Sequence, residues 1–248
     1  MNPDLAFALE LAELADSLTL PRFGAVDLRV DTKADLTPVT DADRTVERAL
    51  RERIALERPG EAVLGEEEGG GGGGSGGARW ILDPVDGTKN FARGIPVWAT
   101  LIALERAREV VSGVVSAPAL GHRWWAARGE GAWRDGEQLR VSGVSELAEA
   151  AVSCAYGRDL GVLEPLVAHA RGLGDFWQHV LVAEGSLDAA VDARLSLWDY
   201  AAPALIVTEA GGRASGPGGV PPHPGEQVIT SNGLLHELVA GLLESPEA

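Results

Sequence analysis

Leu5, Leu9, Leu11, Ala12, Leu14 and Leu18 recur at helical spacing and Pro21 interrupts them, which predicts an amphipathic helix with one core-facing stripe. A second helix is predicted from Thr40, a capping residue with Asp43 three positions on, followed by Val46, Leu50 and Ile54 on one face and ended by Pro59-Gly60. Asp41 then falls in its first turn. Arg79 to Leu82 predicts a short strand that stops at an Asp-Pro-Val-Asp-Gly-Thr turn, and Val97 to Leu104, Val110 to Val115 and Arg123 to Ala127 predict an antiparallel-leaning sheet. Past about Val141 the pattern changes. An apolar stretch Ala151 to Ala155, a helix-like Leu163 to Arg171, a strand-like Leu187 to Val191 and a strongly helical Tyr200 to Ala210 closed by Gly211-Gly212 alternate there. A soft boundary near Val141 therefore divides an α+β part, 1–141, from an α/β part, 142–248.

Residues 69–77 are glycine except for Ser75, which reads as a flexible surface loop. A phosphate-binding P-loop would need a lysine after the glycines, and none follows.

Composition narrows the class. With 248 residues, 45% apolar and 23% charged, the chain has ample material for a packed core, and no apolar run approaches the length of a membrane span. The early acidic residues Asp4, Glu10, Glu13 and Asp16 precede any basic one, the wrong sign for a signal peptide, so a cytoplasmic location is expected. Cys154 is the only cysteine, which excludes an internal disulfide and a thiolate metal cluster and predicts a small buried residue. The five histidines show no metal-ligand spacing. A formal charge of −16 repels nucleic acid and anionic lipid, so no partner of either kind is expected. An anionic substrate would need divalent cations between itself and the carboxylates.

Three carboxylate clusters carry that chemistry: Gly65-Glu66-Glu67, Asp83-Pro84-Val85-Asp86-Gly87-Thr88 and Trp198-Asp199. Two aspartates three residues apart around a proline-stiffened turn can converge on a hard cation, with the Val85 carbonyl between them. Gly87-Thr88 follows, where a helix can begin with amide N–H groups aimed at an anion. Taken singly, each cluster is also an ordinary turn, charge run or helix cap.

Together with Pro38 to Asp43, Trp80 to Phe91 and Trp198 to Gly212, they resemble the inositol monophosphatase family of Mg²⁺-dependent phosphomonoesterases over almost the whole chain. The resemblance implies that family's fold, α+β and α/β parts in alternating helix and sheet layers. It implies two or three Mg²⁺ ions held by Glu66, Asp83, the Val85 carbonyl, Asp86 and Asp199, and a water oriented by Thr88 and Glu66. It also implies that Asp41 accepts the Thr88 hydroxyl proton in a hydrogen bond and that the amides of Gly87 and Thr88 hold the phosphate. Lys33 resembles a family lysine near the site and reads equally as a solvated loop charge. Family members are commonly homodimers.

For the substrate, inositol-selective members carry a glutamate seven residues before the Trp-Asp aspartate, where this chain has Asp192. Arg93 to Thr100, Ser116 to Gly121, Gly174-Asp175-Phe176-Trp177 and Leu195 to Asp199 resemble the branch that hydrolyses histidinol phosphate. Its substrate carries an ammonium and an imidazole, for which Asp192 is a candidate partner alongside Glu66, Asp86, Gly87, Thr88 and Asp199. Inositol 1-phosphate and a 3′-phosphoadenosine nucleotide are the alternatives within the same chemistry. A non-catalytic binding relative is the alternative from another class, against which the intact carboxylates argue.

Overall fold

The computed structural model describes residues 2–34, 36–70, 77–155 and 161–244. Helix α1, Pro3–Thr19, starts where the Asn2 side chain accepts the Asp4 N–H at 2.9 Å, with Pro3 in the first turn. After a short hairpin of β1, Val30–Thr32, and β2, Pro38–Thr40, helix α2 runs Asp41–Glu57. Its start is a reciprocal capping box between Thr40 and Asp43. Leu5, Leu11, Val46, Leu50 and Ile54 form the buried stripes of the two helices, as the periodicity predicts.

Those stripes cover one face of a seven-stranded sheet in the order β3-β4-β5-β6-β7-β8-β9. Its strands are β3 Ala62–Gly65, β4 Ala78–Asp86, β5 Ala99–Arg106, β6 Glu109–Ala117, β7 His122–Ala127, β8 Ala132–Arg134 and β9 Glu137–Gln138. Only β3 and β4 pair in parallel. Alternation along β4 sends Trp80 and Leu82 towards α1 and α2, and Ile81 to the opposite face. Trp80 is fully buried, and replacing it by alanine would cost about 3–5 kcal/mol.

On the opposite face lie α4, Asp175–Ala183, and α5, Leu197–Glu209, the short α3, Thr88–Ala92, having intervened. A Cβ at Gly113 in β6 would sit 3.1 Å from Ala202 Cα, so glycine is what allows α5 to lie this close to the sheet. Beyond these helices a second sheet follows the order β11-β10-β12-β14-β13, and α6, His236–Glu244, covers its outer face. Its strands are β10 Ala151–Cys154, β11 His169–Arg171, β12 Ala189–Leu195, β13 Arg213–Ser215 and β14 Glu226–Ser231. The result is five layers, helix and sheet alternating. Cys154 is buried, as expected. No helix among the described residues is long and apolar enough to cross a membrane.

Three sequence expectations are corrected. Leu163 to Arg171 is not a helix: a 3-10 turn over Glu164–Leu166 carries Pro165, and β11 then pairs in parallel with β10. The strand from Arg79 does not stop at Leu82 but continues to Asp86, held by β5. The strand expected over Leu187 to Val191 is displaced to Ala189–Leu195. Within the glycine tract, residues 71–76 lie outside the described residues.

Candidate active site

Strand alternation alone would put residues three apart on opposite faces of a sheet. Asp83 and Asp86 escape this because the pairing of β4 with β5 slips between them, a bulge at Pro84, which has no N–H to give. The Thr100 hydroxyl donates to the Pro84 carbonyl at 2.8 Å and the Val85 N–H donates to Asp83 Oδ1 at 3.0 Å, fixing the bulge. Gly87 follows at φ 82°, and a Cβ there would lie 3.0 Å from the Val97 carbonyl.

The third carboxylate arrives on α5. Ser196 caps that helix and Asp199, at its third position, folds back so that Oδ2 accepts the Ser196 N–H at 2.6 Å. Oxygen atoms of Asp83, Asp86 and Asp199 thereby come within 4.8 Å of one another. Burial, then the charges of Glu66, Asp86 and Asp199, hold the Asp83 carboxyl well above the usual range. Asp86 is raised by burial and by Asp175 and Asp199, with the Phe176 N–H, donating at 2.6 Å, opposing. Asp199 is pushed up to about 7 by burial, against the hydrogen bond from the Ser196 amide. An all-oxygen donor set of mutually repelling, buried carboxylates fits a hard divalent cation.

Glu66 follows β3 beside Asp83. Its carboxyl is raised by burial, while Lys33 draws it down, with Nζ 2.7 Å from Glu66 Oε1 and 2.5 Å from Glu67 Oε1. Burial works against the Lys33 charge, and the two carboxylates more than offset it. Lys33 is therefore a site residue and not a solvated loop charge. A residue the sequence did not single out sets this loop: fully buried Glu47 on α2 accepts the N–H of Glu67 at 2.7 Å and of Glu68 at 3.0 Å. Arg51 pairs with Glu47 at 2.8 Å and donates to the Gly69 carbonyl at 2.5 Å.

One expected role moves. The Thr88 hydroxyl lies 3.2 Å from Asp43 Oδ1, and Asp41 instead receives Arg22 Nη2 at 2.9 Å. Residues two apart on a helix point about 200° from each other, so Asp41 and Asp43 cannot face the same neighbour. Asp43 is buried and its carboxyl raised by that burial, with the hydrogen bonds from Thr40 opposing. The Thr40–Asp43 cap was the available sequence signal, because a third-position acid folds back towards the strand end.

Two cavities adjoin the carboxylates. One, about 550 Å³, is walled by Lys33, Glu66, Gly87, Thr88, Lys89 and Asp199 among others. The second, about 480 Å³, is walled by Asp86, His179, Asp192 and Arg194, with Asp175 and Asp199 common to both. Asp192 is buried and accepts from Gln178 Nε2 at 3.0 Å and from the Ala193 N–H at 2.9 Å. Buried His179 bonds Thr230 at 2.8 Å, and desolvation lowers its pKa to about 4, so the ring is neutral. A larger cavity, about 1160 Å³, lies beneath Trp198 and Tyr200 and includes none of the clustered aspartates, so we place the chemistry in the two smaller ones.

Comparison with known proteins bears on the same residues. A sequence model of the inositol monophosphatase family matches residues 1–247. A histidinol-phosphatase of Mycobacterium tuberculosis is 51% identical over 96% of each chain. A histidinol-phosphatase of Streptomyces coelicolor is 47% identical over 97% of this chain and 96% of its own. The solved structure of an IMPase from Thermotoga maritima superposes with a TM-score of 0.89 at 31% identity, covering 98% of this chain and 97% of that one.

Proposed function

The chain belongs to the inositol monophosphatase family, and on that premise we propose that it hydrolyses L-histidinol phosphate to L-histidinol and phosphate as a metal-dependent phosphomonoesterase of histidine biosynthesis. The observation that carries the chemistry is the convergence of Asp83, Asp86 and Asp199 within 4.8 Å, beside Thr88 and Gly87. The observation that carries the substrate is 51% identity over nearly the full length to a histidinol-phosphatase.

Glu66, Asp83, the Val85 carbonyl, Asp86 and Asp199 would hold two or three Mg²⁺ ions. Bound there, Mg²⁺ would supply charge neutralisation on the phosphoryl oxygens, a lower pKa for the attacking water and stabilisation of the leaving alkoxide. The protein supplies the rest. Thr88, its hydroxyl proton shared between Asp43 and the Val85 carbonyl, offers a lone pair to the attacking water, and Glu66, which walls the same cavity, takes up the proton that water loses. The amides of Gly87 and Thr88 open α3 and receive the phosphate oxygens. Asp192 lines the second cavity, where its carboxylate suits the imidazole of the substrate. The enzyme is read as a homodimer by family likeness, and the single buried Cys154 agrees with a reducing, cytoplasmic compartment.

Phosphate release with Mg²⁺ and an EDTA control tests this reading. L-histidinol phosphate is expected to exceed D-myo-inositol 1-phosphate and a 3′-phosphoadenosine nucleotide in kcat/KM by about 100-fold, or ~2.7 kcal/mol of transition-state preference. Parity would leave the metal chemistry standing and remove the substrate assignment. No metal-dependent release from any of the three would favour a binding relative.

A further inference from the structure

Asp175 begins α4 immediately after Gly174 and adopts φ 51°, a left-handed conformation that L residues other than Asn and Asp rarely hold. Its backbone is pinned, because the next amide, Phe176 N–H, donates to Asp86 Oδ2 at 2.6 Å. Its carboxylate turns towards the phosphate cradle: Oδ2 lies 3.5 Å from Asn90 Nδ2 and 3.5 Å from the position a Cβ would take on Gly87. Asp175 thus forms part of the walls of both cavities, at their junction. It is not one of the three clustered carboxylates.

A further negative charge beside a phosphate site is unfavourable unless a cation accompanies it. Lys89 walls the same junction and its charge draws the Asp175 carboxyl down against burial, but among the described residues no ion pair within 4 Å joins the two, so the carboxylate keeps room for a closer cation. A substrate whose ammonium is carried on the second carbon from the ester oxygen brings its own cation to that spot. The spacing is fixed by covalent structure: once the phosphate is seated, the amine cannot be far from Gly87. Asp192, by contrast, is held on β12 and lines only the second cavity, with its oxygens accepting from Gln178 and Ala193.

We propose that Asp175 is the specificity-determining carboxylate that pairs with the substrate ammonium at the junction of the two cavities, an inference that rests on histidinol phosphate being the substrate. A helix-start aspartate serving only the helix dipole would not distinguish substrates by their amine.

The test compares wild type and Asp175→Asn on two esters, L-histidinol phosphate and its des-amino analogue, 3-(imidazol-4-yl)propyl phosphate. Asparagine tolerates the left-handed backbone and keeps the shape of the side chain. The variant is expected to lose about tenfold or more in kcat/KM on histidinol phosphate and less than about threefold on the analogue. Inhibition by L-histidinol should weaken by a similar factor while inhibition by inorganic phosphate stays unchanged. Equal losses on both esters, or no loss on either, would overturn the pairing and leave the substrate assignment intact. A wild type that hydrolyses both esters equally would also overturn the pairing, whereas only parity of histidinol phosphate with inositol 1-phosphate would overturn the substrate assignment.

Discussion

The Thr88 hydroxyl oxygen stands 3.2 Å from Asp43 Oδ1 and 2.9 Å from the Val85 carbonyl oxygen, joining the start of α2 to the end of β4. One hydroxyl proton serves both acceptors, so Asp43 biases which lone pair of Thr88 faces the reacting water.

Asp43→Asn is expected to lower kcat by about 100-fold with little change in KM, because proton placement is disturbed and substrate contacts are not. Asp41→Asn, which faces Arg22, should stay within about threefold of wild type. Steady-state kinetics of the two variants decide it, and the reverse ranking would restore the role to Asp41.

Metal binding should depend on pH through the clustered carboxylates. Asp199 is raised to about 7 by burial, above its ordinary value of 3.8, and Asp83 and Asp86 are raised as well. A raised carboxyl favours the folded protein when protonated, and that contribution is lost as pH climbs through the folded pKa. The metal-free protein should accordingly lose stability from this cluster between about pH 4 and pH 7, while Mg²⁺, which binds the ionised form, restores it. The gain in Tm on adding Mg²⁺ is expected to grow from pH 5 to pH 7.5, with protons released on binding at pH 6. Calorimetry in two buffers of different ionisation enthalpy measures that release; its absence would mean the cluster is already ionised.

Glu47 pins the loop that carries Glu66, since it accepts both the Glu67 and the Glu68 amides. Glu47→Ala leaves those donors and Arg51 without their buried partner, and about 3 kcal/mol of stability should be lost. That corresponds to a Tm lower by about 6–12 °C for a chain of this size. Gly65→Ala should act alike, because its new Cβ would collide with the Glu47 carboxylate. Thermal melts with and without Mg²⁺ check both, and a variant with unchanged Tm would show that the loop stands without this clamp.

Shortening the glycine tract by three residues within 71–76 is expected to change kcat by less than about threefold. The loop before it is fixed independently: Gly65 N–H donates to the Gly69 carbonyl at 3.0 Å, and Arg51 donates to the same carbonyl. A tenfold loss would mean that the tract itself positions Glu66.

Much of this protein is legible in the chain. The stripes of α1 and α2, the cap at Thr40 and the run Asp83-Pro84-Val85-Asp86-Gly87-Thr88 are local signals, because helical periodicity, capping and proline geometry act over a few residues. The assignment of Asp41 failed on a local rule as well, since the capping box already pointed to Asp43.

Other features depended on distant partners. β4 runs through its proline turn because β5 supplies a bulged partner, and Leu163 to Arg171 yields β11 because β10 offers a parallel edge. Glu47 carries no motif, and Asp175 lies in a stretch of family resemblance that assigns it no role: packing places the one 2.7 Å from the Glu67 amide and the other against Gly87. The sequence by itself determined which residues were available to bind a cation and where α2 and α3 begin. Only the tertiary structure decided which carboxylates meet, because that depends on sheet register and helix docking between segments as far apart in the chain as Asp83 and Asp199.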